Sequence, residues 1–129
     1  MGIGRTEGHV LIVEDDVPIR RLVRMVLDRA GFTTDTAADG VEAVLKLGIA
    51  EYDAIVLDLM MPNLDGFTVL QTLSENDAPI LRKIIVASAA SPAVIRERLK
   101  HIPFALVPKP FDLDELVARV RECVEAQRA

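Results

Sequence analysis

The sequence predicts an α/β domain, a five-stranded parallel sheet with helices on both faces. Three observations carry this. Short apolar runs alternate strictly with helix-period segments five times, and parallel strands need crossovers that helices supply. Ala54-Ile55-Val56-Leu57 and Ile84-Ile85-Val86-Ala87 are continuously apolar, as strands buried on both sides require. The 129 residues are 50% hydrophobic and 27% charged, which fits one compact domain large enough to fold without staples.

The elements follow in order. Val10-Leu11-Ile12-Val13 reads as the first strand, and the acidic group Glu14-Asp15-Asp16 follows at once. Ile19, Leu22, Val23, Val26, Leu27 and Ala30 share one helical face, with Pro18 in the first turn and Gly31 as the stop. A short strand covers Phe32 to Thr36. Asp39-Gly40 opens a second helix whose spacing predicts Val41, Val44, Leu45 and Ile49 inward. The third strand ends at Asp58. The loop Met60-Met61-Pro62-Asn63-Leu64 leads through Asp65-Gly66 to a helix carrying Phe67, Leu70 and Leu73. The fourth strand closes on Ser88, and Ser91-Pro92 reads as a cap with proline at the first helical position. A fifth strand, Phe104 to Val107, leads to Lys109-Pro110-Phe111. The last helix starts at Asp112, with Glu115 in capping-box spacing, and buries Leu113, Leu116, Val117, Val120 and Val124.

Composition narrows the function classes. Twenty acidic against fifteen basic residues leave a formal charge of −5, so no domain-wide cationic field exists for nucleic acid or an anionic membrane. Aromatics are 4% with no tryptophan, which disfavours a base-stacking platform. Cys123 has no internal partner for a disulfide, in keeping with a reducing compartment. No apolar run reaches membrane-span length, and Met1 to His9 lacks a signal-peptide core. The expectation is a cytoplasmic protein with a short tail over residues 1–8, one domain over 9–127, and no output domain in this chain.

In such sheets the ligand site lies beyond the carboxyl ends of the strands, and the polar residues converge there. Asp15 and Asp16 follow strand one, Asp58 ends strand three, Ser88 ends strand four and Lys109 follows strand five. Like charges about 4 Å apart repel by roughly 4 kcal/mol at an effective dielectric near 20. The three carboxylates therefore need a cation or a shared proton. Mg²⁺ suits an all-oxygen site, and the lack of nearby His or Cys argues against zinc. A carboxylate beside such a metal is a nucleophile toward phosphorus. Lys109 would neutralise phosphoryl oxygens and Ser88 would donate a hydrogen bond. Asp58, alone on the central strand, takes the nucleophile's role.

At these residues the pattern resembles the receiver domains of two-component response regulators. The matching pieces are Leu11-Ile12-Val13-Glu14-Asp15-Asp16, Ile55 through Gly66, Val86-Ala87-Ser88-Ala89 and Lys109-Pro110-Phe111, in register over roughly Gly8 to Glu125. The resemblance implies a flavodoxin-like three-layer sandwich with five helices and strand order 2-1-3-4-5. It implies that Asp58 accepts a phosphoryl group from the phosphohistidine of a sensor histidine kinase or phosphotransfer domain. It further implies Mg²⁺ on Asp16, Asp58 and the backbone carbonyl of Met60, with Asp15 acting through water. Ser88 and Lys109 would sense the phosphoryl group, and the Lys109-Pro110 bond would be cis. Leu106 stands where such domains usually carry a switching aromatic, with Phe104 two residues earlier on the same strand face. The resemblance therefore bears on phosphoacceptance more than on aromatic-gated switching.

Blander readings stand beside these. Asp15 and Asp16 would serve equally as helix caps, Lys109 as a surface cation and Ser88 as a turn residue. His9 and His101 lie too far from the acids to be ligands, and Met25, Met60 and Met61 read as packing or loop residues. Cys123 reads as inert. Arg20, Arg21 and Arg24 form a basic stripe, either solvated or a docking patch for the kinase. Arg96, Arg98, Lys100 and Arg119 lie on the face that would meet a downstream partner or a phosphorylation-linked homodimer. Alternative functions are a phosphorylation-independent scaffold and a small Mg²⁺-dependent aspartyl-phosphate phosphatase. The latter lacks the usual second acid at Met60. A flavin protein is disfavoured because no phosphate loop follows the first strand. Apart from gain and loss of its own phosphoryl group, no enzymatic turnover is expected.

Overall fold

The computed structural model describes residues 8–61, 65–76, 78–89, 91–99, 105–109 and 112–128. Five strands, β1 (His9–Val13), β2 (Thr33–Ala37), β3 (Ala54–Asp58), β4 (Ile84–Ser88) and β5 (Ala105–Pro108), form one sheet in the order β2-β1-β3-β4-β5. All pairings are parallel. The helices are α1 (Val17–Arg29), α2 (Gly40–Ile49), α3 (Gly66–Asn76), α4 (Pro92–Arg98) and α5 (Leu113–Arg128). This is the flavodoxin-like, three-layer arrangement.

Side-chain alternation divides each central strand between two cores. Leu11, Val13, Ile55, Leu57, Ile84 and Val86 pack toward α2, α3 and α4. Val10, Ile12, Ala54, Val56, Ile85 and Ala87 pack toward α1 and α5. Strands buried on both faces must be apolar at every position, and β3 and β4 are buried along their whole lengths.

Helix ends follow local chemistry. The Asp16 carboxylate accepts from the Ile19 N–H at 3.0 Å and starts α1, satisfying an otherwise orphan donor. Gly31, at φ 102°, turns the chain out of α1 in a conformation only glycine adopts freely. Asp39 caps α2 by accepting from the Glu42 N–H at 2.8 Å, and Glu42 reaches back to the Ala38 N–H. That pair is a variant of the capping box, with the returning carboxylate on the N–H of the residue before the cap.

Three sequence expectations need correction. The face of α2 predicted to be inward is largely outward: Val41, Leu45 and Ile49 are exposed. The helix seats instead through Ala43 and Leu47, because small Ala43 lets the helix axis approach the sheet while the periodicity alone could not say which apolar stripe does so. β2 starts one residue later than expected, and β5 runs one residue further, to Pro108. A 3-10 helix, Ala78–Lys83, precedes β4 where the sequence signalled no element. Phe104, His101, Lys100 and the Lys109-Pro110 bond lie outside the described residues. Leu106 is partly buried and packs on the α2–α4 core.

Candidate functional site

The sheet register builds the site. Val13 pairs with Leu57, so Glu14 and Asp58 come next on neighbouring strands, on the same side of the sheet. The Glu14 N–H bonds the Ala37 carbonyl at 3.0 Å, continuing the β1–β2 ladder one residue past the strand. Glu14 and Asp58 are each 3% exposed. Asp15 follows in the turn, exposed. One ligand oxygen from each of Glu14, Asp15 and Asp58 can be chosen so that all three lie within 4.8 Å of one another.

Lys109 reaches this group from the far edge of the sheet. Its N–H bonds the Ser88 carbonyl at 3.0 Å, fixing the chain after β5. Its Nζ lies 2.5 Å from Glu14 Oε1 and 3.5 Å from Asp58 Oδ2. Ser88 closes β4 and is buried. Since Asp58 pairs with Ala87, Ser88 sits one residue further out on the adjacent strand.

The Met60 N–H donates to Asp58 Oδ1 at 3.1 Å, turning the loop tightly after β3 while the Met60 side chain stays exposed. The loop returns close. A Cβ on Gly66 would lie 2.3 Å from the Asp58 carbonyl oxygen, so only glycine fits where α3 starts against the strand end.

Burial pushes the Glu14 carboxyl up to about 7, and the neighbouring Asp58 carboxyl adds to the rise; the Lys109 ammonium opposes it. Two acids and one ammonium in a nearly dry pocket leave excess negative charge whenever both acids ionise. The donor set is all oxygen, which fits a hard divalent cation such as Mg²⁺.

Of the residues singled out in the sequence, Asp15, Asp58 and Lys109 meet at one rim. Asp16 does not join them. The sequence expectation makes it a direct ligand, whereas here its Oδ1 accepts from the Ile19 N–H at the N-terminus of α1 and it is not among the acids gathered at the rim. Glu14 takes the place beside Asp58, and the sequence reading missed it. The signal was present in the lengths of the runs: Val10–Val13 and Ala54–Leu57 are both four residues long. The first acid after each therefore occupies the equivalent place. Arg20 also touches the rim, donating to the Glu14 carbonyl at 3.0 Å.

A doubly wound sheet carrying a carboxylate cluster and a lysine at its carboxyl rim defines a phosphate- or cation-handling class of domain. The comparisons specify which. Residues 10–121 match the response regulator receiver domain family. Among curated proteins, the chain is 38% identical over 118 residues to response regulator MprA of Mycobacterium ulcerans, covering 88% of this chain and 48% of that one. It is 37% identical over 124 residues to transcriptional regulatory protein TcrA of Mycobacterium tuberculosis, covering 92% and 47%. The chain thus spans about half the length of these relatives. Among solved structures, the receiver domain of Francisella response regulator 1452 superposes with TM-score 0.83 at 33% identity, covering 93% of this chain and 98% of that one. Response regulator TrrA of Thermotoga maritima, solved in complex with Mg²⁺-BeF, superposes with TM-score 0.77 at 30% identity, covering 89% and 97%. The chain belongs to the response regulator receiver domain family. No helix among the described residues is long and apolar enough to cross a membrane.

Proposed function

We propose that this domain is a phosphoacceptor switch in which Asp58 takes a phosphoryl group from the phosphohistidine of a sensor histidine kinase or phosphotransfer domain. The observation that carries the reading is the buried Asp58 carboxylate, grouped with Glu14 and Asp15 within 4.8 Å and 3.5 Å from the Lys109 ammonium. An Asp58 oxygen forms the O–P bond as the P–N bond to the donor imidazole breaks, and the departing ring nitrogen takes a proton from water. Lys109 neutralises charge on the transferred oxygens, and Ser88 donates a hydrogen bond to one of them. Asp15, Asp58, the Met60 backbone carbonyl and Glu14 would hold Mg²⁺. Bound there, the ion would supply positive charge to the phosphoryl oxygens and relieve the repulsion between the carboxylates.

Once Asp58 carries the phosphoryl group as an acyl phosphate, its new oxygens compete with Glu14 for the Lys109 ammonium. A shift of Lys109 and Ser88 toward them would bias a pre-existing equilibrium of the α4–β5–α5 face. That face would then meet a downstream protein or a second phosphorylated copy. The solved Mg²⁺-BeF complex of TrrA supports the metal and phosphoryl parts of this reading. The reading places the domain in the cytoplasm, with no direct contact to nucleic acid or membrane, and gives it no turnover beyond gain and loss of its own phosphoryl group.

The test is incubation with Mg²⁺ and acetyl phosphate followed by intact-mass analysis. Wild type is expected to gain one base-labile phosphoryl group and Asp58→Asn none. Omitting Mg²⁺ should abolish the gain. A folded wild type that gains nothing would leave a phosphorylation-independent scaffold, and multiple turnover of sugar phosphates would point to a phosphatase.

A further inference from the structure

The outward arc of α2 carries no charge. Val41 is 50%, Leu45 66% and Ile49 85% exposed, and Gly48, the other fully outward position, has nothing within 4 Å of where a Cβ would stand. Surface helices normally present polar side chains to water. Here the only charged residues of the helix, Glu42 and Lys46, lie on one flank and pair with each other at 3.4 Å. Positions 41, 45 and 49 repeat at four-residue spacing, an apolar ridge just over two turns long and inclined about 26° to the helix axis.

We propose that this stripe is a self-association surface on which two copies of the chain pair their α2 helices antiparallel across a two-fold axis near Leu45. The pattern is self-complementary. A two-fold there sets Val41 against Ile49 of the second copy and Leu45 against its own equivalent, with the open notch at Gly48 admitting a close approach. Glu42 then lies within about 3 Å along the axis of Lys46 of the second copy, so the like flanks meet with opposite charges. The antiparallel setting also opposes the helix dipoles favourably. A chain of net charge −5 resists self-association over most of its surface, and an uncharged arc with a balanced flank is where that resistance is least. A lipid surface fits less well, since the stripe lacks the basic collar of a membrane-seeking helix. Two ten-residue helices bury less than the roughly 1,200 Å² of a standard interface. The pairing is therefore weak, set by concentration and independent of Asp58 phosphorylation.

Sedimentation equilibrium of the unphosphorylated chain, run from about 10 µM to about 1 mM, is expected to show the mass climbing from 14.1 kDa toward twice that value. Leu45→Ser, which removes the one contact on the two-fold axis, should weaken association roughly tenfold, and Ile49→Ser, which removes two symmetry-related contacts, by at least as much. Val94→Ser, an outward apolar position on α4 about as exposed as Val41, should not. In ¹⁵N spectra, the concentration-dependent shifts should fall on residues 40–49. A wild type that stays monomeric throughout overturns the proposal. So does association that survives Leu45→Ser, or that is lost in Val94→Ser instead. Wild type that remains monomeric but sediments with neutral phospholipid vesicles would assign the stripe to lipid and equally overturn it.

Discussion

Glu14 is the residue on which the electrostatics of the rim turn. It is nearly dry, faces Asp58 and shares the Lys109 ammonium, so ionising it adds a second negative charge to a pocket with one cation. Its carboxyl is raised from 4.5 to about 7 by burial first and Asp58 second. A raised folded-state value means the folded chain holds a proton that the unfolded chain has released. That stabilising contribution is complete below about pH 4.5 and disappears as pH rises through about 7. Metal-free protein should therefore lose stability between those values, by an amount on the order of a few kcal/mol. Mg²⁺ requires the ionised form, so its affinity should climb over the same interval. Urea midpoints from pH 5 to pH 8, with and without Mg²⁺, test both trends. Glu14→Gln should flatten the metal-free slope and reduce the gain from Mg²⁺. An unchanged slope in Glu14→Gln would assign the proton elsewhere.

At the scale of elements, the β1–α1 turn sorts three consecutive acids into different tasks. Glu14 still belongs to the ladder, Asp15 faces the rim, and Asp16 is the cap of α1. Asp16→Ala should lower stability by about 1 kcal/mol, the usual loss of a capping carboxylate, and leave Mg²⁺ affinity within about threefold. Asp15→Ala should do the reverse, weakening Mg²⁺ at least roughly tenfold as one charged oxygen ligand is lost. Isothermal titration beside urea unfolding separates the two outcomes. This sorting explains why the acids were visible in the sequence while their roles were not. Composition marks a carboxylate cluster, but which member faces the rim depends on where the strand stops, and that boundary is set by a single hydrogen bond from Glu14 to Ala37. The same limit applies to α2. Its apolar residues outnumber what one buried stripe can use, so the periodicity permits two orientations, and only the packing of Ala43 and Leu47 decides between them. By contrast, α3 and α5 were legible because each has a single apolar stripe, and Phe67, Leu70, Leu116 and Val120 are buried on it.

Over the whole molecule, the parallel doubly covered sheet and the position of the site followed from alternation and from buried runs, because parallel crossovers leave few topologies open, while the strand order came with the family resemblance. A second polar cluster, at the opposite end of the sheet, left no such mark in the sequence. Tyr52 donates to Asp35 Oδ2 at 2.9 Å, His9 Nε2 lies 3.1 Å from the same oxygen, and the His9 and Tyr52 rings are 4.5 Å apart. This group ties β1, β2 and the entry to β3 together; His9 lies about 17 Å along β1 from the acidic rim, and Asp35, opposite Leu11, about 10 Å. Burial tends to raise the Asp35 carboxyl, but the Tyr52 hydrogen bond and His9 outweigh it and leave it below its usual value. Burial and the Asp35 bond push Tyr52 up to about 12. The depressed carboxylate contributes stability above about pH 3.8 that is lost as pH falls through its folded value. The raised phenol contributes stability below about pH 10 that is lost as pH climbs toward about 12. Tyr52→Phe should therefore remove the alkaline loss and shrink the acid one. It should leave the Mg²⁺-dependent change between pH 5 and 8 intact, because sites this far apart without shared partners act additively. The double variant Glu14→Gln/Tyr52→Phe makes the comparison quantitative. If its unfolding free energy departs from the sum of the single effects by more than about 0.5 kcal/mol, the sheet couples its two ends and the clusters do not act independently.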